Sequence, residues 1–133
     1  MKLITRNSDY GIRAVCFMAC GEGRMVPVPE LVKKLSIPKP FLRKILQVLG
    51  KTGIVRSYKG IGGGFRLARG AEDIRLVELI RAFQGPVKVN ECIFKKKLCP
   101  NRARCALKKK IDKIEKYVIS ELESISVKDL LVK

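Results

Sequence analysis

The sequence predicts a mainly α-helical fold with one small β-hairpin. Apolar residues recur at intervals of three and four in several segments, and two short β-prone runs flank a glycine-rich turn. The 133 residues suffice for one domain with a hydrophobic core, or for one compact domain with an appended arm. Hydrophobic residues make up 47% of the chain, which excludes wholesale disorder.

The first predicted helix runs from about Ser8, its expected N-cap, to Gly21. Its apolar positions recur at helical spacing and include Cys16 and Cys20, which we expect to pack in the core as small hydrophobic residues. Pro29 opens a short second helix at a position that tolerates proline. These segments predict two short helices ahead of a tight connection.

A third helix is predicted from near Pro38–Pro40 to about Leu49, with leucine and isoleucine on its buried face. The opposite face of this helix is basic, and an α-helix is narrow enough to enter a DNA major groove. Basic and amide side chains there are candidates for contacts with base edges or phosphates. The candidate DNA contacts of this helix are Lys39, Pro40, Phe41, Arg43, Lys44 and Gln47.

The β-hairpin is predicted from the runs IVRSY and GFRLA, which flank a glycine turn. Small residues at its tip let the backbone approach phosphates or a minor groove closely. The turn lacks the Lys-Ser/Thr of a nucleotide-binding loop. The candidate DNA contacts of the hairpin are Arg56, Ser57, Tyr58, Lys59, Gly60, Gly62 and Gly63. Short helices, an exposed third helix and then a hairpin follow the order of a winged helix-turn-helix.

A fourth helix is predicted at about Leu76 to Phe83, and a long fifth helix runs from about Ala106 to Leu122 before a short tail. We therefore divide the chain into a winged helix-turn-helix domain at residues 1–84, a cysteine-containing loop at 85–105, and a dimerisation helix with its tail at 106–133. The last unit carries an apolar seam that pairs either with a second subunit or with its own domain. The seam comprises Leu107, Ile111, Ile114, Val118, Leu122 and Ile125.

The net charge of +17 and the pI near 10.1 favour a polyanionic partner. The arrangement of the charges favours double-stranded DNA, and a basic structural RNA-binding protein is the alternative. No apolar run reaches the roughly 18–20 residues that span a bilayer, and the apolar stripes are committed to a core, so we expect no membrane partner. With no histidine and no paired carboxylates or nucleotide motif, we expect neither an enzyme nor a small-molecule substrate. The N-terminus does not resemble a signal peptide, so we expect a cytoplasmic protein.

Three cysteines, Cys92, Cys99 and Cys105, fall within fourteen residues in a C-x6-C-x5-C pattern. In a reducing compartment such a cluster indicates a metal or redox centre rather than a disulfide staple. A straight helix would turn Cys99 and Cys105 about 120° apart, so the segment must bend, and Pro100 favours a break there. An iron–sulfur cluster, a zinc ion and a bare thiol switch all fit this pattern.

Four stretches give the chain a specific resemblance: MKLITRNSDYGIRAV, IPKPFLRKILQVLGKTGIVRSYKGIGGGFRLAR, DIRLVELIRAFQG and the three-cysteine segment. They resemble the iron–sulfur winged-helix transcription regulators that include IscR and the nitric-oxide sensor NsrR. The resemblance implies a homodimeric repressor on a pseudo-palindromic operator, with the third helix in the major groove and the hairpin at the minor groove. IscR-like members carry a glutamate at the position of Arg43, so the operator sequence is not implied.

The resemblance also implies an iron–sulfur cluster on the three cysteines, responding to iron supply, redox state or nitric oxide. IscR-like members add a histidine three residues after the last cysteine, where this chain has Lys108. NsrR-like members use an aspartate of the partner subunit near the start of the first helix, and Asp9 lies at that place. The resemblance therefore favours a 4Fe–4S over a 2Fe–2S cluster. The ordinary alternative for Asp9 is an acid that stabilises a helix N-terminus.

Overall fold

The computed structural model describes residues 2–21, 23–89 and 106–131. It is mostly helical with one antiparallel hairpin, which confirms the predicted fold class. A single 3-10 turn at Ala71–Asp73 precedes the fourth helix. The elements are α1 (Arg6–Cys20), α2 (Val28–Leu35), α3 (Lys39–Lys51), β1 (Val55–Tyr58), β2 (Gly64–Leu67), α4 (Leu76–Gln84), α5 (Ala106–Ser124) and α6 (Val127–Leu130).

Helix α1 begins at Arg6, and its N-cap is Thr5, three residues before the predicted cap, Ser8. The two hydroxyl residues form a reciprocal capping box. The Ser8 hydroxyl accepts the Thr5 N–H at 2.8 Å, and the Thr5 hydroxyl accepts the Ser8 N–H at 3.3 Å. The predicted cap was wrong because Ser8 is the third residue of the helix and serves as the second half of the box.

The main core lies between α1, α2, α3 and the hairpin. Helix α3 contributes a fully buried stripe at the predicted spacing, which orients its basic side toward solvent. Pro38 precedes the helix and Pro40 occupies its first turn, where the missing N–H costs no intrahelical hydrogen bond. The stripe comprises Leu42, Ile45, Leu46 and Leu49.

The hairpin formed by β1 and β2, residues 55–67, is called the wing below. Its register pairs Val55 with Leu67 and Tyr58 with Gly64. Val26 anchors the wing to the core through two hydrogen bonds with Phe65, at 2.8 and 2.9 Å. Gly64 has a φ of +151°, and a Cβ atom there would collide with the carbonyl oxygen of Val26. The close approach of these two backbones therefore requires glycine at position 64.

A second, smaller apolar cluster joins α4 to α5. Its buried members include Leu122 of the predicted seam, and Val118 packs against them. The C-terminal half of the seam thus packs on its own chain, whereas Leu107 and Ile114 at the other end are exposed. The C-terminal half of the predicted seam is therefore covered within the chain. Only the N-terminal half is available to a second subunit.

The tail of the chain contains the short helix α6, which the sequence pattern did not predict because four residues are too few to show a period. A capping box between Ser126 and Asp129 starts this helix. Hydrogen bonds from Leu76 to Ile125 (2.9 Å) and from Val127 to Ile74 (2.8 Å) tie the tail to the start of α4. The Val127 side chain is fully buried in the main core.

The prediction that Cys16 and Cys20 pack in the core is wrong for Cys20. The buried stripe of α1 runs through Val15 and Met18, so Cys16 lies at its edge and Cys20, on the last turn, is exposed. Burial raises the pKa of the Cys16 thiol, and the nearby Cys20 thiol raises that pKa further. Cys16 is therefore a weak nucleophile despite its partial exposure.

A polar clamp joins the start of α1 to the end of α4. The Gln84 side-chain oxygen accepts the Thr5 N–H at 3.0 Å and lies 2.6 Å from the hydroxyl of Ser8, which is fully buried. The Gln84 side-chain N–H donates to the carbonyl oxygen of Lys2 at 3.1 Å.

Replacing Gln84 with alanine should lower the free energy of unfolding by about 1–3 kcal/mol, because the buried groups of α1 lose their partner. Urea unfolding followed by circular dichroism measures this change. Arg81→Ala, an exposed change one turn earlier on α4, should stay within about 0.5 kcal/mol of wild type. Equal stability of the two variants would show that the clamp contributes nothing.

Candidate nucleic-acid interface

An open groove with a volume of about 1020 Å³ lies between α3 and β1. Its lining combines predicted residues of α3 with predicted residues of β1 and of the turn that follows it. Its polar lining consists of Arg43, Lys44, Gln47, Lys51, Arg56, Ser57, Tyr58 and Lys59. We call this surface the α3–wing groove.

The charge of the α3–wing groove is uniformly positive. Among the described residues that line it there is no carboxylate, and no described carboxylate forms an ion pair with its cations. Unneutralised cations on facing walls raise the local potential and attract a polyanion. The groove cations are Arg43, Lys44, Lys51, Arg56 and Lys59.

Lys51 also lines this groove, although it is not among the predicted contact residues. It follows Gln47 by four residues, so the two side chains lie on the same face of α3. The predicted helix ended at Leu49, which excluded Lys51. A helix prediction longer by two residues would have found it.

Arg66, on the wing, is the second cation after Lys51 that was not predicted from the sequence. The strand register places Arg66 opposite Arg56, and like charges directly opposite each other destabilise a hairpin. Arg66 lies over the Tyr58 ring, with its guanidinium carbon 5.0 Å from the ring centroid, which partly offsets this repulsion. The position of Arg66 opposite Arg56 could not be predicted without the register of the two strands.

The remaining predicted contact residues flank the groove. Lys39, Pro40 and Phe41 are exposed at the N-terminal end of α3. Gly60, Gly62 and Gly63 form the tip of the wing. The predicted DNA contacts thus belong to α3 and the wing, the two elements that bound the groove.

The three cysteines of the proposed metal centre, Cys92, Cys99 and Cys105, lie outside the described residues. Within residues 2–21, 23–89 and 106–131, no group of three or more metal-ligating side chains lies together. Asp9 lies in the first turn of α1, where its carboxylate forms an ion pair with Arg13 at 3.0 Å. Both side chains are substantially exposed, so the Asp9 carboxylate is accessible to another molecule.

The chain is anchored where it enters the cysteine segment. The Val89 N–H donates to the Glu115 carboxylate of α5 at 3.1 Å, and the Lys88 ammonium lies 3.9 Å from the same carboxylate. Upstream, Gln84 attaches the end of α4 to α1. Both α1 and α5 are therefore connected to the entry of the cysteine segment.

The part of α5 from Leu107 to Tyr117 exposes large apolar side chains. Leu107, Ile114 and Tyr117 are each more than half exposed.

In the described part of the chain, none of the helices has the length and apolar character needed to cross a membrane.

Comparison with known proteins assigns this architecture to a family. Residues 4–133 match the Rrf2 family model, described as an iron-dependent transcriptional regulator. A protein of Aquifex aeolicus (strain VF5), described as an HTH-type transcriptional regulator, is 31% identical over 124 residues, which cover 92% of this chain and 86% of that protein.

Solved structures with the same fold include IscR of T. potens and CymR of B. subtilis. The IscR structure is 27% identical, has a TM-score of 0.73, and aligns over 98% of this chain and 86% of its own. CymR, titled the global cysteine regulator, is 22% identical, has a TM-score of 0.76, and aligns over 98% and 97% of the two chains. These matches confirm the predicted winged helix-turn-helix and the predicted resemblance at the level of the family. The chain belongs to the Rrf2 family of DNA-binding transcriptional regulators.

Proposed function

We propose that this regulator binds a two-fold symmetric operator as a homodimer and that an iron–sulfur cluster on Cys92, Cys99 and Cys105 controls its affinity. The observation that carries the DNA-binding part is the α3–wing groove, where cations from two elements face one space without a neutralising carboxylate among the lining residues. The cluster part rests on the donor set of the sequence and on the family.

In the proposed complex α3 enters the major groove, which is about 12 Å wide and admits one helix. Arg43 and Gln47, on the exposed face, have the donors that read guanine and adenine edges. Lys44 and Lys51 at the groove wall contact phosphates, and the wing with Lys59 follows the backbone to the adjacent minor groove. Phosphate contacts supply most of the affinity, whereas the α3 contacts supply the sequence preference.

A second copy of the chain is the proposed partner of the exposed half of α5. Leu107 and Ile114 are seven residues apart, so they lie on nearly the same side of the helix, with Tyr117 beside them. Covering such side chains in a helix pair removes apolar surface from water. Two-fold pairing through α5 would present two α3 helices to successive turns of an operator.

The donor set fits an iron–sulfur cluster. The basic side chains of this segment would offset the negative charge of the three thiolates and of the cluster, and the exposed carboxylate of Asp9 in the partner subunit is the proposed fourth ligand. The description of the matching family model, an iron-dependent transcriptional regulator, supports an iron-containing group at this site. When bound, the cluster supplies a redox- and iron-sensitive link between segments. Ligation by Asp9 would replace its ion pair with Arg13.

The anchors around the cysteine segment provide a route by which its state reaches the DNA. Glu115 holds Val89 to α5, and Gln84 holds the end of α4 to α1. Helix α1 packs against α3 in the main core. A change in the cysteine segment would therefore shift both the proposed dimer helix and the element beneath α3.

Footprinting of genomic DNA tests the DNA-binding part. We expect discrete protected sites with two-fold symmetry and half-sites about one helical turn apart, because a dimer presents two α3 helices. If the dimer contacts about ten phosphates, its affinity should fall roughly 10³–10⁵-fold between 50 and 200 mM salt. Diffuse protection, with tight binding to structured RNA, would instead support a basic RNA-binding protein.

A further inference from the structure

The tip of the wing carries one fully exposed apolar side chain, Ile61. Its relative exposure is 110%, whereas the next most exposed large apolar residue of the described chain, Leu107, reaches 71%. A scattered exposed apolar residue is ordinary on a protein surface. Ile61 differs because it stands at the end of an element that faces the proposed DNA.

The glycines around Ile61 isolate its side chain. Residues 60–64 read Gly-Ile-Gly-Gly-Gly, so Ile61 is their only side chain. Gly60 and Gly62 have φ angles of +94° and +80°, and the Gly63 N–H closes the turn onto the Gly60 carbonyl oxygen at 3.0 Å. A Cβ atom on Gly63 would collide with the Tyr58 carbonyl oxygen. The result is a narrow turn with a single apolar projection.

The charge around this projection favours nucleic acid as its partner. Residues 55–67 contain no acidic residue, and Arg56, Lys59 and Arg66 are all exposed on the wing. An apolar protein surface or a neutral bilayer would have to bury these cations close to the tip, at a high desolvation cost. A DNA minor groove, about 6 Å wide and lined by phosphates, accepts both the cations and a narrow apolar tip.

We infer that Ile61 is an apolar wedge that enters the minor groove of the operator and opens a base step, an inference that rests on the proposed DNA binding. Apolar side chains inserted between base pairs partly unstack them and kink the duplex by about 20–90°. Pyrimidine–purine steps such as TA and CA/TG deform most easily. The wing should therefore select such a step at its contact point, without a hydrogen bond to any base.

The test compares full-length wild type with Ile61→Ser on the DNA fragment that wild type protects most strongly, with bending measured by fluorescence energy transfer between the fragment ends. Wild type should bend the fragment, and Ile61→Ser should bend it less and bind it roughly tenfold more weakly. The salt dependence should stay unchanged because no cation is lost. Ile61→Leu is the matched control and should keep bend and affinity. Both variants should keep the wild-type melting temperature, because Ile61 is fully exposed.

A base change supplies the second arm. Replacing the flexible step beneath the wing with a stiff A-tract step should weaken wild type but leave Ile61→Ser nearly unaffected. Equal bending and affinity of wild type and Ile61→Ser on a specific site would overturn the wedge and leave the proposed function standing. Absence of any specific site for wild type would overturn both. Loss of binding to phosphatidylglycerol vesicles, with DNA binding unchanged in Ile61→Ser, would assign the tip to membranes instead.

Discussion

Protein carrying Cys99→Ser should be isolated anaerobically without colour, acid-labile sulfide or stoichiometric iron, whereas wild type should contain all three. Two remaining thiolates and a carboxylate hold a cluster far less well than three thiolates do. The expected effect is close to complete loss of the cluster. Visible absorption spectra and chemical analysis of iron and sulfide measure it.

Cys20→Ser is the matched control, since it removes an exposed thiol from α1 and leaves the cysteine segment intact. It should retain the wild-type spectrum and iron content. If wild-type protein contained zinc instead of iron, the three cysteines would be assigned to a zinc site rather than to a cluster. A metal-free protein whose DNA affinity changes on oxidation would support a thiol switch at the same cysteines.

Replacing Arg43 with alanine should cost about 1–3 kcal/mol of binding free energy per half-site, which is roughly tenfold or more in affinity, and should relax the preference at one base position. Arg43 is exposed on α3 and forms no ion pair with a described carboxylate, so its loss should leave the fold intact. Binding measured across a library of single-base operator variants detects both effects.

Lys113→Ala controls for charge, because Lys113 is exposed on α5 and does not line the α3–wing groove. It should reduce affinity slightly and equally for every sequence, through the general field of the protein. If Arg43→Ala also weakened all operator variants equally, Arg43 would be a phosphate contact. The assignment of base reading to the exposed face of α3 would then be wrong.

Local sequence patterns predicted α3 and the wing well. The buried stripe of α3 follows the helical period closely, so its opposite face was predictable residue by residue, as Arg43 and Lys44 illustrate. The wing was predictable because glycine at its tip and β-prone residues on either side are both strong local signals. Two strands of four residues are confirmed at those places.

Features that depend on tertiary contacts, or on which of two nearby residues caps a helix, were not predictable from the sequence. Thr5 and Ser8 are both good caps, and only their reciprocal bonds show which one starts α1. Cys20 follows Cys16 at helical spacing, but it is the last residue of α1 and is exposed. Arg66 joins the site through the strand register, which the separate strands do not reveal.

The division of the α5 seam has the same origin. Its apolar period is continuous in the sequence, yet Leu122 packs on α4 while Ile114 stays exposed. Periodicity shows which face of a helix is apolar, whereas the path of the neighbouring helix decides which part of that face is already covered. The boundary between core and proposed dimer contact therefore requires the folded chain.

In the proposed function, the state of the cysteine segment changes the affinity for an operator. The most direct measurement is an anaerobic titration of one footprinted operator with wild-type protein before and after removal of its cluster. We predict dissociation constants that differ by roughly 5–150-fold, the range of typical coupling between two sites, and no such difference for Cys99→Ser. Equal dissociation constants for the two forms of wild type on every protected site would exclude control of DNA binding by the cluster.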